Sequence, residues 1–180
     1  GYIMHFIFIF LVFVSLVVAA VPAVSQSPSE NLGGLLDEPS VTRSTYGDWQ
    51  RLCVMQTAIP TCEISQTLQV EKDGQSNIAM RITLNKSADA VIMEVALPLG
   101  IDLSGGIALQ VDEINEINVP FSTCLVQGCA ALFTVEKEFL TQLRNGSTLK
   151  VAFRPFAQTK SVILNSSLRG FTNAIKVLKQ

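Results

Sequence analysis

The chain has 180 residues, is 48% apolar and carries a formal net charge of −2. That balance supplies no global field to draw it to nucleic acid. Its only histidine, His5, lies in the apolar start, which excludes Ser–His and Cys–His nucleophile pairs and histidine metal sites from everything downstream.

From Ile3 to Val21 the chain is apolar apart from His5 and Ser15. Counted from Met4 the run is slightly long for the apolar part of a signal peptide and slightly short for a membrane span. Small residues follow, and both Val21-Pro22-Ala23 and Ala23-Val24-Ser25 fit a cleavage pattern. Residues 1–24 are therefore expected to be a signal peptide. The alternative is a retained single-span anchor, since no Lys or Arg precedes the run. No cysteine follows it closely, which argues against a lipoprotein anchor. Residues 25–45 are rich in Ser, Pro, Gly and Glu and read as a flexible linker. Residues 46–180 remain, enough for one domain with one core.

That domain reads mostly as strand. Asn77–Lys86 sends Ile78, Met80, Ile82 and Leu84 to one face, and Ala90–Leu97 sends Val91, Met93, Val95 and Leu97 to one face. Ile107, Leu109 and Val111 repeat the alternation, as do Leu149, Val151 and Phe153 against Lys150 and Arg154. Period two means one face on a core and the other in water. Asp73-Gly74, Ser104-Gly105-Gly106, Gln127-Gly128 and Asn145-Gly146 separate the runs as turns. Short strands at this spacing predict an all-β sandwich or barrel. Glu136–Arg144 changes to helical spacing, with Phe139, Leu140 and Leu143 together, and Arg169–Leu178 suits a second short helix.

Cys53, Cys62, Cys124 and Cys129 form two close pairs. Export would place them in an oxidising compartment, where even-numbered close cysteines read as staples. Three connectivities exist. The local one, Cys53–Cys62 and Cys124–Cys129, closes loops of about ten and six residues and is expected to stabilise by roughly 2–3 kcal/mol per bond. A four-cysteine zinc site usually has pairs two to four residues apart, against gaps of eight and four here. No metal and no cofactor is expected.

Paired carboxylates are the remaining route to catalysis. Asp112, Glu113 and Glu116 cluster after a strand, and Glu136 and Glu138 flank Lys137. Solvated loops routinely produce such clusters, so no catalytic residue is assigned. All 15 acids lie in residues 30–138, whereas residues 139–180 hold seven Lys or Arg and no acid. Lys150, Arg154, Lys176 and Lys179 should face water and could form a basic surface for an anionic lipid or another protein. The competing reading is that early and late strands are neighbours, so that the charges mix.

Tyr46-Gly47-Asp48-Trp49 precedes the first cysteine, and Leu97-Pro98-Leu99-Gly100-Ile101 is followed by Gly106-Ile107-Ala108-Leu109. Pro120-Phe121, Cys124 and Gly128-Cys129 come next, and Ser167-Leu168-Arg169-Gly170-Phe171 closes the set. In this order they resemble the invasion-associated locus B family of Gram-negative bacteria, over about residues 45–178. The resemblance implies an immunoglobulin-like β-sandwich with one or two short helices, in the periplasm or outer envelope, and no established enzymatic activity. The four cysteines match the family's paired pattern. Trp49 reads as a core anchor, Gly47 as a turn, and Phe121 and Phe133 as core. Leu97, Pro98, Leu99, Gly100 and Ile101 form either an exposed apolar loop that meets a partner or a sheet corner. The expected function is that of a disulfide-stapled, non-enzymatic binding protein with an envelope or host partner. Its alternative is a membrane-anchored accessory subunit of a larger envelope complex.

Overall fold

The computed structural model describes residues 40–55 and 59–178. The signal or anchor segment, the linker up to residue 39, and Lys179 lie outside the described residues. The larger sheet begins as an antiparallel meander of β1 (Ser40–Tyr46), β2 (Trp49–Met55), β3 (Thr61–Lys72), β4 (Gln75–Ser87) and β5 (Ala90–Leu97). The chain then crosses to the smaller sheet for β6 (Ile107–Val111) and β7 (Ile117–Val119). It returns for β8 (Thr123–Leu125) and β9 (Gly128–Thr134), which complete the order β1-β2-β3-β4-β5-β9-β8. After helix α1 (Lys137–Asn145), β10 (Thr148–Phe153) and β11 (Val162–Ser167) join the smaller sheet in the order β11-β10-β6-β7, and α2 (Phe171–Lys176) follows.

The two sheets share one core. Ile82, Leu84, Met93 and Val95 from the larger sheet are fully buried in one cluster with Ile107, Leu109, Leu149 and Val151 from the smaller. Each such side chain contributes about 1.5–3 kcal/mol on burial. Phe139 and Leu143 of α1, and Phe171, Ala174 and Ile175 of α2, complete that cluster. The fold is thus the expected all-β sandwich with two short helices.

Four local expectations differ. Strand β1 starts at Ser40, inside the stretch read as linker, and pairs along its whole length with β2. Nearly all of β1 is exposed, so it carries no apolar alternation to betray it. Ile78 was expected on the core face but is 56% exposed. The pairing of β3 with β4 shifts between Leu68 and Gln69, which face Met80 and Ile78, so Ala79 is bulged. Beyond that bulge both strands of the hairpin are exposed on both faces, from Gln69 to Lys72 and from Gln75 to Ile78. Ser104-Gly105-Gly106 reads in sequence as a hairpin turn, but the strands on either side of it, β5 and β6, lie in different sheets. Leu103–Gly105 forms a single 3₁₀ turn, capped by Asp102, on the crossover from the larger to the smaller sheet. Phe121 and Phe133 pack against the core but stay half-exposed.

Candidate functional site

Leu97 to Ile101 is a sheet corner whose two ends are buried. Leu97 ends β5 at 2% exposure and Ile101 lies at 9%. Only Pro98, Leu99 and Gly100 are exposed, with Leu99 at 58%. The corner is pinned to the chain just past β10. Phe156 N–H donates to the Gly100 carbonyl at 2.8 Å, Asp102 N–H donates to the Arg154 carbonyl at 2.8 Å, and Ile101 bridges to Pro155. Leu97 and Ile101 therefore hold the corner, and any contact with a partner falls to Pro98, Leu99 and Gly100.

The late basic residues meet the early acids. Lys150 pairs with Glu113 at 2.6 Å. Arg154 lies one residue past the end of β10 and grips Asp102 through Nε at 2.8 Å and through Nη2. Asp102 also accepts from Ser104 Oγ at 2.7 Å and Ser104 N–H at 3.0 Å. The Ser104 hydroxyl, then Arg154, holds the Asp102 carboxyl at about 2, below its ordinary 3.8. Lys150, within β10, and Arg154, just past its end, have their charges matched, while Lys176 is exposed in the last turn of α2. The structure supports the mixed-charge reading for the described residues.

Both disulfides join directly opposed residues of neighbouring strands. Cys53 faces Cys62 across β2 and β3, and Cys124 faces Cys129 across β8 and β9. Of the three connectivities, the structure has the local one.

A polar clasp ties the first hairpin to the end of the domain. Asp48 accepts from Ser167 Oγ at 2.7 Å and Arg169 Nε at 3.0 Å, and Arg169 Nη2 holds its other oxygen. The Arg169 bond, then the Ser167 bond, keeps the Asp48 carboxyl at about 2, and the carboxylate in turn raises the Arg169 pKa. Trp49 Nε1 and Gln66 Nε2 both donate to the Ser167 carbonyl, at 3.0 and 2.9 Å. Ser166 Oγ donates to Gln66 Oε1 at 2.6 Å. Trp49 is fully buried with its ring edge-on to Phe171, 5.1 Å between centroids, so it is the expected core anchor. Gly47 and Gly170 both have positive φ, and a Cβ on either would collide with the other turn's backbone.

The acidic loop after β6 is structural at its first residue. Asp112 accepts from the Ser147 and Thr148 N–H groups, each at 3.0 Å. Beside it lies a feature that sequence reading missed. A groove of about 420 Å³ runs between β7, the end of β9 and α1. Val119, Phe133 and Phe139 give it an apolar lining, and Glu136 and Glu138 also line it. The doublet of acids was visible in the sequence, but nothing local placed it beside Phe133.

The model of the Invasion associated locus B (IalB) protein family matches residues 49–179. The chain belongs to that family. An Invasion protein B homolog of Brucella abortus (strain 2308) is 29% identical over 138 residues, 76% of this chain and 78% of the relative. Invasion protein B of Bartonella bacilliformis is 29% identical over 140 residues, 74% of this chain and 73% of the relative. The crystal structure of invasion associated protein b from Bartonella henselae superposes with a TM-score of 0.65 at 30% identity, covering 76% of this chain and 94% of that one. Within this IalB-family domain the clasp uses the first and last of the motifs that carry the resemblance, Tyr46–Trp49 and Ser167–Phe171. Of the motif residues, Pro120 alone lines the groove.

Proposed function

We propose that this IalB-family protein is exported to the periplasm or outer envelope, where it binds another protein without catalysing a reaction and contributes to host-cell invasion. The observation that carries the reading is the family match over residues 49–179, with relatives that are themselves named invasion proteins. The disulfides support it, because such bonds persist in oxidising compartments. The carboxylates with lowered pKa support it too, since Asp48 and Asp102 are both committed to arginine and serine partners that hold the fold together.

The test is a deletion strain complemented with the wild-type gene, scored for entry into cultured host cells, with cell fractionation and intact mass of the recovered protein. The reading predicts reduced entry restored by complementation, recovery from the envelope fraction, and mass loss matching removal of the first 23–25 residues. Unchanged entry and recovery from the cytoplasm would defeat it. An unprocessed mass in the membrane fraction would favour the anchored accessory subunit instead. Turnover on ester, peptide or glycoside panels would overturn the non-enzymatic part.

A further inference from the structure

We propose that the groove between β7, the end of β9 and α1 docks an extended segment of a partner protein, one that presents an apolar side chain flanked by Lys or Arg. This rests on the binding-protein reading above and gives it a site.

Hydrogen-bond parity leaves two backbone edges open there. In an antiparallel pair, successive residues turn their N–H and C=O groups to opposite sides. Val135 N–H donates to the Val91 carbonyl at 2.8 Å, so Val135 turns toward β5. Thr134 must then turn away from β5. On that side β8 covers β9 only over Gly128–Ala130, and the Ser122 hydroxyl takes the Leu132 N–H at 3.0 Å. No described strand pairs with Thr134 on that side. In the smaller sheet, Asp112 N–H donates to the Thr148 carbonyl at 2.9 Å, which turns Asp112, Gln110 and Ala108 toward β10. Ile107 and Leu109 therefore bond to Val119 and Ile117, and Asn118 turns outward from the edge of that sheet. Thr134 and Asn118 both line the groove. An open strand edge is a template for an added strand, with side-chain pockets supplying specificity.

The lining selects the occupant. Phe133 and Phe139 lie 6.3 Å apart between ring centroids and, with Val119, offer an apolar seat. A cavity of about 420 Å³ has room for one large apolar side chain and its flanking backbone. Glu136 and Glu138 add two negative charges, and neither belongs to the four ion pairs among the described residues. Both acids also sit at the start of α1, where negative charge suits the helix dipole. The dipole accounts for carboxylates at that end but not for the open edges or the apolar seat beside them. Charge complementarity then favours a cationic segment.

The experiment uses the protein as isolated from the envelope and two labelled pentapeptides, Lys-Val-Phe-Val-Lys and Glu-Val-Phe-Val-Glu. Fluorescence anisotropy should show the cationic peptide binding at least tenfold more tightly. Amide exchange should slow in residues 115–120 and 132–136 when it binds. The double variant Glu136→Lys/Glu138→Lys should reverse the preference. It should lower the unfolding midpoint only slightly, because Glu136 makes no side-chain cap bond and the reversal costs only the exposed helix-dipole contribution. No binding, equal binding of both peptides, or protection centred on Leu99 and Phe156 would overturn the proposal. So would protection of the groove by self-association without peptide, which would make a second copy the occupant. Failed peptide binding beside an intact invasion phenotype would reject the groove and spare the binding-protein reading. Peptide binding beside unchanged entry would do the reverse.

Discussion

The Ser167 carbonyl offers a quantitative test of the clasp. Leu168 N–H donates to the Ser147 carbonyl at 2.9 Å, so parity turns Ser167 away from β10. Trp49 Nε1 and Gln66 Nε2 meet its carbonyl there. Trp49→Phe keeps an aromatic ring near Phe171 but removes one donor and part of the buried ring. The lost bond costs about 1 kcal/mol, with the carbonyl still satisfied by Gln66. The incompletely filled space adds about 1 kcal/mol at ~24 cal/mol per Å³. Gln66→Met should cost about 2 kcal/mol, because it removes the bonds to Ser167 and Asp48 and the acceptor for Ser166. In the double variant the carbonyl loses both donors and bears a desolvation penalty of about 1–3 kcal/mol. The pair should therefore be more destabilising than the sum of the singles by about 1 kcal/mol or more. Urea unfolding at 25 °C, analysed with a common slope, measures this. Additivity within about 0.5 kcal/mol would refute the shared carbonyl.

Stability should fall on acidification through a defined window. Asp48 and Asp102 have folded-state values of about 2 against 3.8 ordinarily, so the unfolded chain binds more protons. Their contribution is complete above about pH 4 and is lost as pH falls through about 2. Asp48→Asn/Asp102→Asn should flatten that slope in thermal unfolding, and an unchanged slope would remove these groups as its cause. Non-reducing peptide mapping should recover Cys53–Cys62 and Cys124–Cys129 cross-links and no free thiol. Replacing Cys124 and Cys129 with serine should cost about 2 kcal/mol in urea unfolding on loop-entropy grounds. Anionic vesicles should bind the protein negligibly and equally with or without Lys150→Glu/Arg154→Glu, because these groups already meet Glu113 and Asp102. Tight, salt-sensitive co-sedimentation lost in that variant would restore the basic surface as a site.

The sequence made the interior strands plain and the edges obscure. β5 runs over Ala90–Leu97, the bounds its alternation predicts, because Met93, Val95 and Leu97 meet a core that water does not reach. β1 has no such asymmetry and owes its conformation to pairing with β2. Ile78 obeys the alternation in sequence and escapes it in space, since one bulged residue and an uncovered hairpin tip decide its exposure. Helix α1 was legible from Phe139 and Leu143, whereas α2 is shorter than predicted because Arg169 and Gly170 belong to the clasp turn. The groove was illegible for a related reason. It is assembled from β7, β9 and α1, and its open backbone edges depend on hydrogen-bond parity, which has no sequence signal.

The positions of the motifs explain why they identify a family without disclosing an activity. Gly47 and Gly170 press against each other's turns, which brings Tyr46–Trp49 into the clasp with Ser167–Phe171. Gly106 sits against the carbonyl of Val119, the residue before Pro120, and Gly128 sits against the carbonyl of Leu97, the residue before Pro98. Gly47, Gly106, Gly128 and Gly170 are thus each placed to accept backbone from a distant part of the chain. Such contacts are demanding because the backbone cannot yield as a flexible side chain can, so they constrain residue type strongly. The groove makes the opposite kind of demand. Apart from Pro120, its lining comes from outside the motifs, and an apolar seat tolerates replacement by residues of similar volume. Domains of this construction could keep the interlocked frame while Phe133, Glu136 and Glu138 are retuned to a different segment. The same substitutions would then change partner choice with little effect on the unfolding midpoint, whereas changes at Gly47 or Gly170 would do the reverse.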